Sequence, residues 1–154
     1  MISSELLWSD VSILTRLLAS LLLGGAIGWE RESTGKAAGV RTHMLVALAA
    51  ALFVALGDQF LLTFGERGEI IQSDPLRIIE AVVTGISFLG AGMIFVSRGR
   101  DTVKGLTTAA TTLTTAAIGI TVGMERYVLA VGATALVLLI LNLLPRVYRG
   151  TEDD

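Results

Sequence analysis

Two groups of residues in this chain have types and spacing that could do chemistry, and both sit in or beside apolar runs. The first is Arg16, Asp58 and Glu80. Carboxylates set in apolar surroundings can draw in a hard divalent cation through oxygen ligands, while an arginine among them can instead neutralise one as a buried ion pair. Arg16 is expected to pair with Asp58 or Glu80. The second group is Glu30, Arg31, Arg41 and His43, spread over GWERESTGKAAGVRTHM around Gly35 and Gly39. Such a cluster could bind an ion, an anionic headgroup or a partner protein, with Glu30 held by Arg41 or by the threonines of the fourth span. Glu30, Asp58 and Glu80 are the candidate metal ligands. A single histidine and no cysteine exclude a multi-histidine or thiolate metal site. A milder polar feature is the run LTTAATTLTTAAIGITVG. At helical spacing Thr107, Thr111 and Thr114 form one stripe and Thr108, Thr112 and Thr115 an adjacent one. Their hydroxyls either bond to carbonyls of their own helix or line a polar cavity.

The elements that must position these residues follow from composition. The chain has 154 residues, is 53% hydrophobic and has a mean hydropathy of +0.71. Its charges gather in short stretches between apolar runs that approach the roughly 20 residues a spanning helix needs. The fold class is therefore all-α, a polytopic transmembrane helix bundle in one membrane domain covering residues 1–154. Five spans are expected, at about 11–29, 43–64, 78–97, 106–124 and 126–144, with a short C-terminal tail at 145–154. The threonine-rich fourth run is the least apolar, which leaves four crossings and a half-buried segment as the alternative. Gly65, Gly68, Asp74 and Pro75 break the chain between the second and third spans, and Pro145 is expected to stop the last helix. The N-terminus carries no basic stretch and does not read as a cleavable signal.

Lysine and arginine set the orientation. Arg31, Lys36, Arg41, Arg98, Arg100, Lys104, Arg146 and Arg149 fall on one side, and Arg67, Arg77 and Arg126 on the other. The positive-inside rule then places the N-terminus outside and the C-terminus in the cytoplasm. Arg16 would sit about 8 Å below the outer boundary and Asp58 about 20 Å above the inner end of its span. Small residues mark where helices can approach closely: Ser20, Gly24 and Gly28 at intervals of four, then Gly85, Gly90 and Gly92. The Ser20–Gly24–Gly28 face is a candidate contact within the bundle or between protomers of a homodimer.

Enzyme chemistry is not expected. Ser87 and His43 lie at different depths, and no glycine-rich nucleotide loop is present. Nothing in the charge pattern marks a nucleic-acid partner. The surroundings are the lipid bilayer.

Taken together and in order, GGAIGWERESTGKAAGVRTHMLVALAAALF, TGISFLGAGMIF and VKGLTTAATTLTTAAIGI resemble the signature blocks of the MgtC/SapB family of bacterial inner-membrane proteins. The resemblance runs from about Leu18 to Asn142. It maps the family's charged block onto Glu30, Arg31, Gly39, Arg41 and Thr42. The glycine block maps onto Gly85, Phe88, Gly90, Ala91 and Gly92, and the threonine block onto Gly105, Leu106, Thr107, Thr108, Ala109, Ala110 and Thr111. It implies a multi-pass protein of the bacterial inner membrane linked to magnesium homeostasis or to growth under magnesium limitation. In pathogens it implies a link to survival inside phagocytes. Two activities follow from the resemblance: transport of magnesium or a small solute, with Mg2+ as cargo, or regulation by binding another membrane protein such as the ATP synthase. Members of the family often carry a cytoplasmic C-terminal domain, and this chain is expected to represent the membrane domain alone. Virulence-type members tend to have asparagine where this chain has Thr107.

Overall fold

Apolar runs separated by short polar turns have one low-cost arrangement in a membrane, because every backbone amide must find its partner within its own helix. The computed structural model describes residues 4–65, 76–97 and 102–149. These form α1 (Ser4–Ser33), α2 (Val40–Gly65), α3 (Leu76–Met93), β1 (Phe95–Ser97), β2 (Thr102–Lys104), α4 (Leu106–Gly123) and α5 (Tyr127–Arg149). Helices α1 to α4 are long and apolar enough to cross a membrane, and α5 contributes a shorter apolar stretch, Tyr127–Leu143. The protein is a multi-pass membrane protein. The expected breakers Gly68, Asp74 and Pro75, the cations Arg67, Arg98 and Arg100, and residues 150–154 lie outside the described residues.

Three spans depart most from the bounds read in the sequence. Helix α1 runs well beyond 11–29 at both ends, since polar ERES continues the helix until Gly35 takes a left-handed conformation (φ 67°). There Gly35 N donates to the Glu32 carbonyl (3.0 Å) and Lys36 N to the Arg31 carbonyl (2.9 Å), the paired bonds that close a helix on a left-handed residue. The third span stops at Met93, not 97. Phe95–Ser97 instead pairs antiparallel with Thr102–Lys104, Phe95 opposite Lys104 and Ser97 opposite Thr102. Aromatic and β-branched residues in FVS and TVK suit a pleated ribbon as well as an apolar span. Gly105 (φ 91°) then turns the ribbon into α4. Finally, α5 continues through Pro145 to Arg149. A proline removes one amide donor from a helix but its fixed φ is helical, so it weakens the helix there without ending it.

Helix α4 is the centre of the bundle. On one side Ala116 and Ile120 join Val46, Ala50 and Val54 of α2 and Val82 of α3. On the other, Ile118 and Val122 join Ile27 of α1 and Ala130 and Leu141 of α5. The least apolar of the expected spans is thus the most enclosed one, which is why it tolerates threonine: it faces protein instead of lipid.

Candidate functional site

The α1–α2 turn brings one polar cluster together. Glu32 reaches across it, and its carboxylate accepts from Val40 N at 2.9 Å, capping the start of α2. Gly28 lets the two backbones meet, since a Cβ there would lie 2.6 Å from Val40 Cα. Under this lid Glu30 and Arg31 form a two-pronged ion pair, Arg31 Nε to Glu30 Oε2 at 2.5 Å and Arg31 Nη2 to Glu30 Oε1 at 2.8 Å. Both side chains are buried, at 9% and 4% exposure. The expected partner, Arg41, is exposed instead. It sits two residues before buried His43, about 200° around the helix from it at 3.6 residues per turn, so the two cannot share a face.

His43 is fully buried. Its Nδ1 lies 3.0 Å from the Gly39 carbonyl. A carbonyl can only accept, so Nδ1 carries the proton. Nε2 is buried and meets no hydrogen-bond partner among the described residues. The charges of Arg31 and Glu30 both act on this ring. On α4, a Cβ at Gly119 would meet Ala47 and one at Gly123 would meet Ala51 and Val54. By that register, one turn earlier, His43 stands level with Thr115.

The α4 threonines close their polarity locally. Thr111 donates to the Thr107 and Thr108 carbonyls (both 2.9 Å), Thr112 to the Thr108 carbonyl (2.8 Å) and Thr115 to the Thr111 carbonyl (2.8 Å). Thr108, Thr111, Thr112 and Thr115 are buried, whereas Thr107 is exposed.

A second cluster lies at the other end of α1. Arg16 points into the bundle, as its position below Ser20, Gly24 and Gly28 predicts. Its Nη1 donates to the Gly123 carbonyl at 2.9 Å and lies 3.5 Å from Asp58 Oδ2, and its Nη2 pairs with Glu125. The expected Arg16–Asp58 pairing is present, but the third member is Glu125, not Glu80. Glu80 is exposed on the second turn of α3. Gly123 closes α4, so Arg16 places a cation on a carbonyl the helix itself leaves free. Glu125 adopts the left-handed conformation (φ 61°) usually left to glycine. The turn that holds it is closed by Glu125 N to Val122 O (2.9 Å) and Arg126 N to Thr121 O (3.0 Å).

Among the described residues no three His, Asp or Glu side chains converge as metal ligands, and Glu30, Asp58 and Glu80 stand apart. Of the small residues, Gly24 and Gly28 lie hard against α2, and a Cβ at Gly90 would make ordinary contact with Ala109. Ser20 is fully buried. Gly85 and Gly92, expected as packing positions, face open space.

The order of these parts along the chain can be set against known proteins. A model of the MgtC family matches residues 17–149. The chain belongs to the MgtC family. It is 41% identical over 130 residues to an Escherichia coli (strain K12) protein named "Putative magnesium transporter YhiD", covering 82% of this chain and 58% of that relative. It is 38% identical over 148 residues to Protein SrpB of Synechococcus elongatus, covering 92% and 79%. It is 40% identical over 119 residues to Protein MgtC of Brucella abortus, covering 77% and 45%. The chain thus spans little more than half the length of the YhiD relative. No solved structure matches it. Within the matched region fall both ends of the Glu30–Arg31–His43 cluster, all of α4, and Glu125.

Proposed function

We propose that this MgtC-family chain serves magnesium homeostasis in the bacterial inner membrane as a regulatory protein, acting by contact with other membrane proteins. Its N-terminus is outside, and the Glu30–Arg31–His43 cluster lies at the cytoplasmic side. The observation that carries this reading is the buried, two-pronged Glu30–Arg31 pair. Magnesium demands near-octahedral oxygen coordination and sheds its waters reluctantly. A carboxylate that serves it on a path must offer free oxygens, and both oxygens of Glu30 are engaged. Asp58 turns one oxygen toward Arg16 at 3.5 Å while its side chain stays half exposed, and the buried threonines bond to carbonyls of their own helix. Of these groups Arg16 ties helices together, through Asp58 on α2 and the Gly123 carbonyl on α4, and the others satisfy their polarity within one helix, which suits a protein that presents a shaped surface. Gly92 and Gly132, which meet no neighbour, offer places for a second helix to approach, from another membrane protein or a second copy in a homodimer.

Transport is the second reading, favoured by the printed name of the Escherichia coli relative. It requires Arg31 to release Glu30 during the cycle. Magnesium flux into proteoliposomes, with Glu30→Gln as control, separates the two. Regulation predicts no saturable flux from folded protein, together with specific photo-cross-links in native membranes from probes at positions 92 and 132. Saturable flux that Glu30→Gln abolishes overturns it.

A further inference from the structure

Helices α2 and α3 meet where Gly57 faces Ile78 and leave a gap between their outer faces beyond it. The gap is a groove of about 720 Å³. Its floor is the outer side of the core cluster, including Val46, Ala50 and Val82, and small residues such as Ala81 give it depth. Apart from Arg77 every lining residue is apolar. Arg77 stands on the first turn of α3, is exposed, and makes no ion pair among the described residues.

Length and charge together identify the occupant. From Arg77 to Leu89 the groove follows α3 for twelve residue steps, about 18 Å at 1.5 Å per step. One leaflet of the hydrocarbon core is about 15 Å deep, half of the full thickness. An apolar slot one leaflet deep, with at its mouth a guanidinium that makes no ion pair among the described residues, matches an amphiphile with one anionic head and an extended hydrocarbon tail. Arginine meets phosphate with two parallel hydrogen bonds, which fixes the head over the slot. We propose that this groove holds one acyl chain of an anionic phospholipid whose phosphate sits on Arg77. Selection for the anionic head comes from Arg77, because the apolar slot accepts any acyl chain. A zwitterionic lipid brings its own ammonium, which competes with Arg77 for the phosphate. The proposal stands whether the protein transports or regulates.

The test is native mass spectrometry of the purified full chain with phosphatidylglycerol and phosphatidylethanolamine of identical acyl chains. One phosphatidylglycerol should be retained about fivefold more strongly, the effect of one basic side chain near an anionic headgroup. Arg77→Gln should remove the preference and leave the weaker, equal retention of both lipids, while Arg77→Lys should keep part of it. Ala81→Phe, which fills the slot from an exposed position, should lower retention of both without shifting the melting temperature. Equal retention by the unaltered chain, or a preference that survives Arg77→Gln, overturns the proposal. So does efficient cross-linking between copies through cysteines at positions 49 and 85, which would make the groove a protein contact.

Discussion

The same substitution, glycine to alanine, should have opposite signs at two sets of positions. At Gly28 an added Cβ would lie 2.6 Å from Val40 Cα and 2.9 Å from the Gly39 carbonyl oxygen. At Gly24 it would lie 2.6 Å from the His43 carbonyl oxygen and 2.8 Å from Ala47 Cβ. Backbone atoms cannot swing aside. Ordinary contact begins at 3.4 Å, so α1 and α2 must part by about 0.8 Å. Overpacking of this kind costs about 1–3 kcal/mol. Alanine returns up to about 1 kcal/mol of helix propensity. Two backbone clashes place the cost in its upper half, leaving a net loss of about 1–2 kcal/mol at Gly28. At Gly85 and Gly132 nothing lies within 4 Å, so the propensity gain of about 0.5–1 kcal/mol stands alone. The measurement is unfolding of the purified chain in mixed micelles, followed by circular dichroism as dodecyl sulfate is titrated in. Gly28→Ala should unfold earlier than the unaltered chain, and Gly132→Ala at the same point or later. A Gly28→Ala chain as stable as its parent would refute the close α1–α2 approach. An equal loss at Gly132 would refute the open outer face of α5.

Two further predictions concern buried polarity. Arg31→Ala leaves Glu30 buried without a partner and should cost about 3–5 kcal/mol, while Glu30→Leu with Arg31→Leu should recover most of that loss. If the double variant is as unstable as the sum of the singles in the same micelle titration, the two side chains are not a pair. Thr115→Val should cost less than about 1 kcal/mol, because its hydroxyl bonds to a carbonyl that already serves the helix. A loss several times larger would mean that the hydroxyl serves a neighbouring helix.

Much of this arrangement was legible in the sequence, and what was not has identifiable causes. Apolar periods gave the helices, and the four-residue spacing of Ser20, Gly24 and Gly28 gave the inward face on which Arg16 also lies. The Glu30–Arg31 pair was hidden because neighbours on a helix do not normally face each other. Only burial turns both long side chains toward one spot, and burial belongs to the tertiary structure. Glu125 was hidden for another reason: it reads as an ordinary turn residue. The signal was present, since the turn after the fourth span falls on the same side of the membrane as Arg16. The β-ribbon was missed because FVS extends an apolar run without a break, and an apolar run alone does not separate strand from helix end.

The paired charges also answer a problem that small-residue seams create. Ser20, Gly24 and Gly28 on α1 recur every four residues, and so do Ala47 and Ala51 on α2 and Gly119 and Gly123 on α4. A slide of α1 by one turn, about 6 Å, would set small residues against small residues again. Packing therefore discriminates weakly between the two registers. Arg16 does so strongly, because only one register places it against the Gly123 carbonyl, Asp58 and Glu125. Fixing register is a role a polar group at a helix seam can fill, and it is separable from stability, since Arg16 is partly buried while its carboxylate partners are half exposed. Replacing Arg16, Asp58 and Glu125 together by leucine should lower the unfolding free energy by less than about 1 kcal/mol or raise it. Cross-linking reads the register. A Cβ at Gly25 would contact Met44 Cγ at 3.4 Å, so Gly25→Cys with Met44→Cys tests the native register. Gly25→Cys with Leu48→Cys tests a shift by one turn. In the otherwise unaltered chain only the first pair should cross-link, and in the triple-leucine chain both should. If the triple-leucine chain still cross-links only the native pair, packing alone sets the register and Arg16 has some other purpose at the far end of α1.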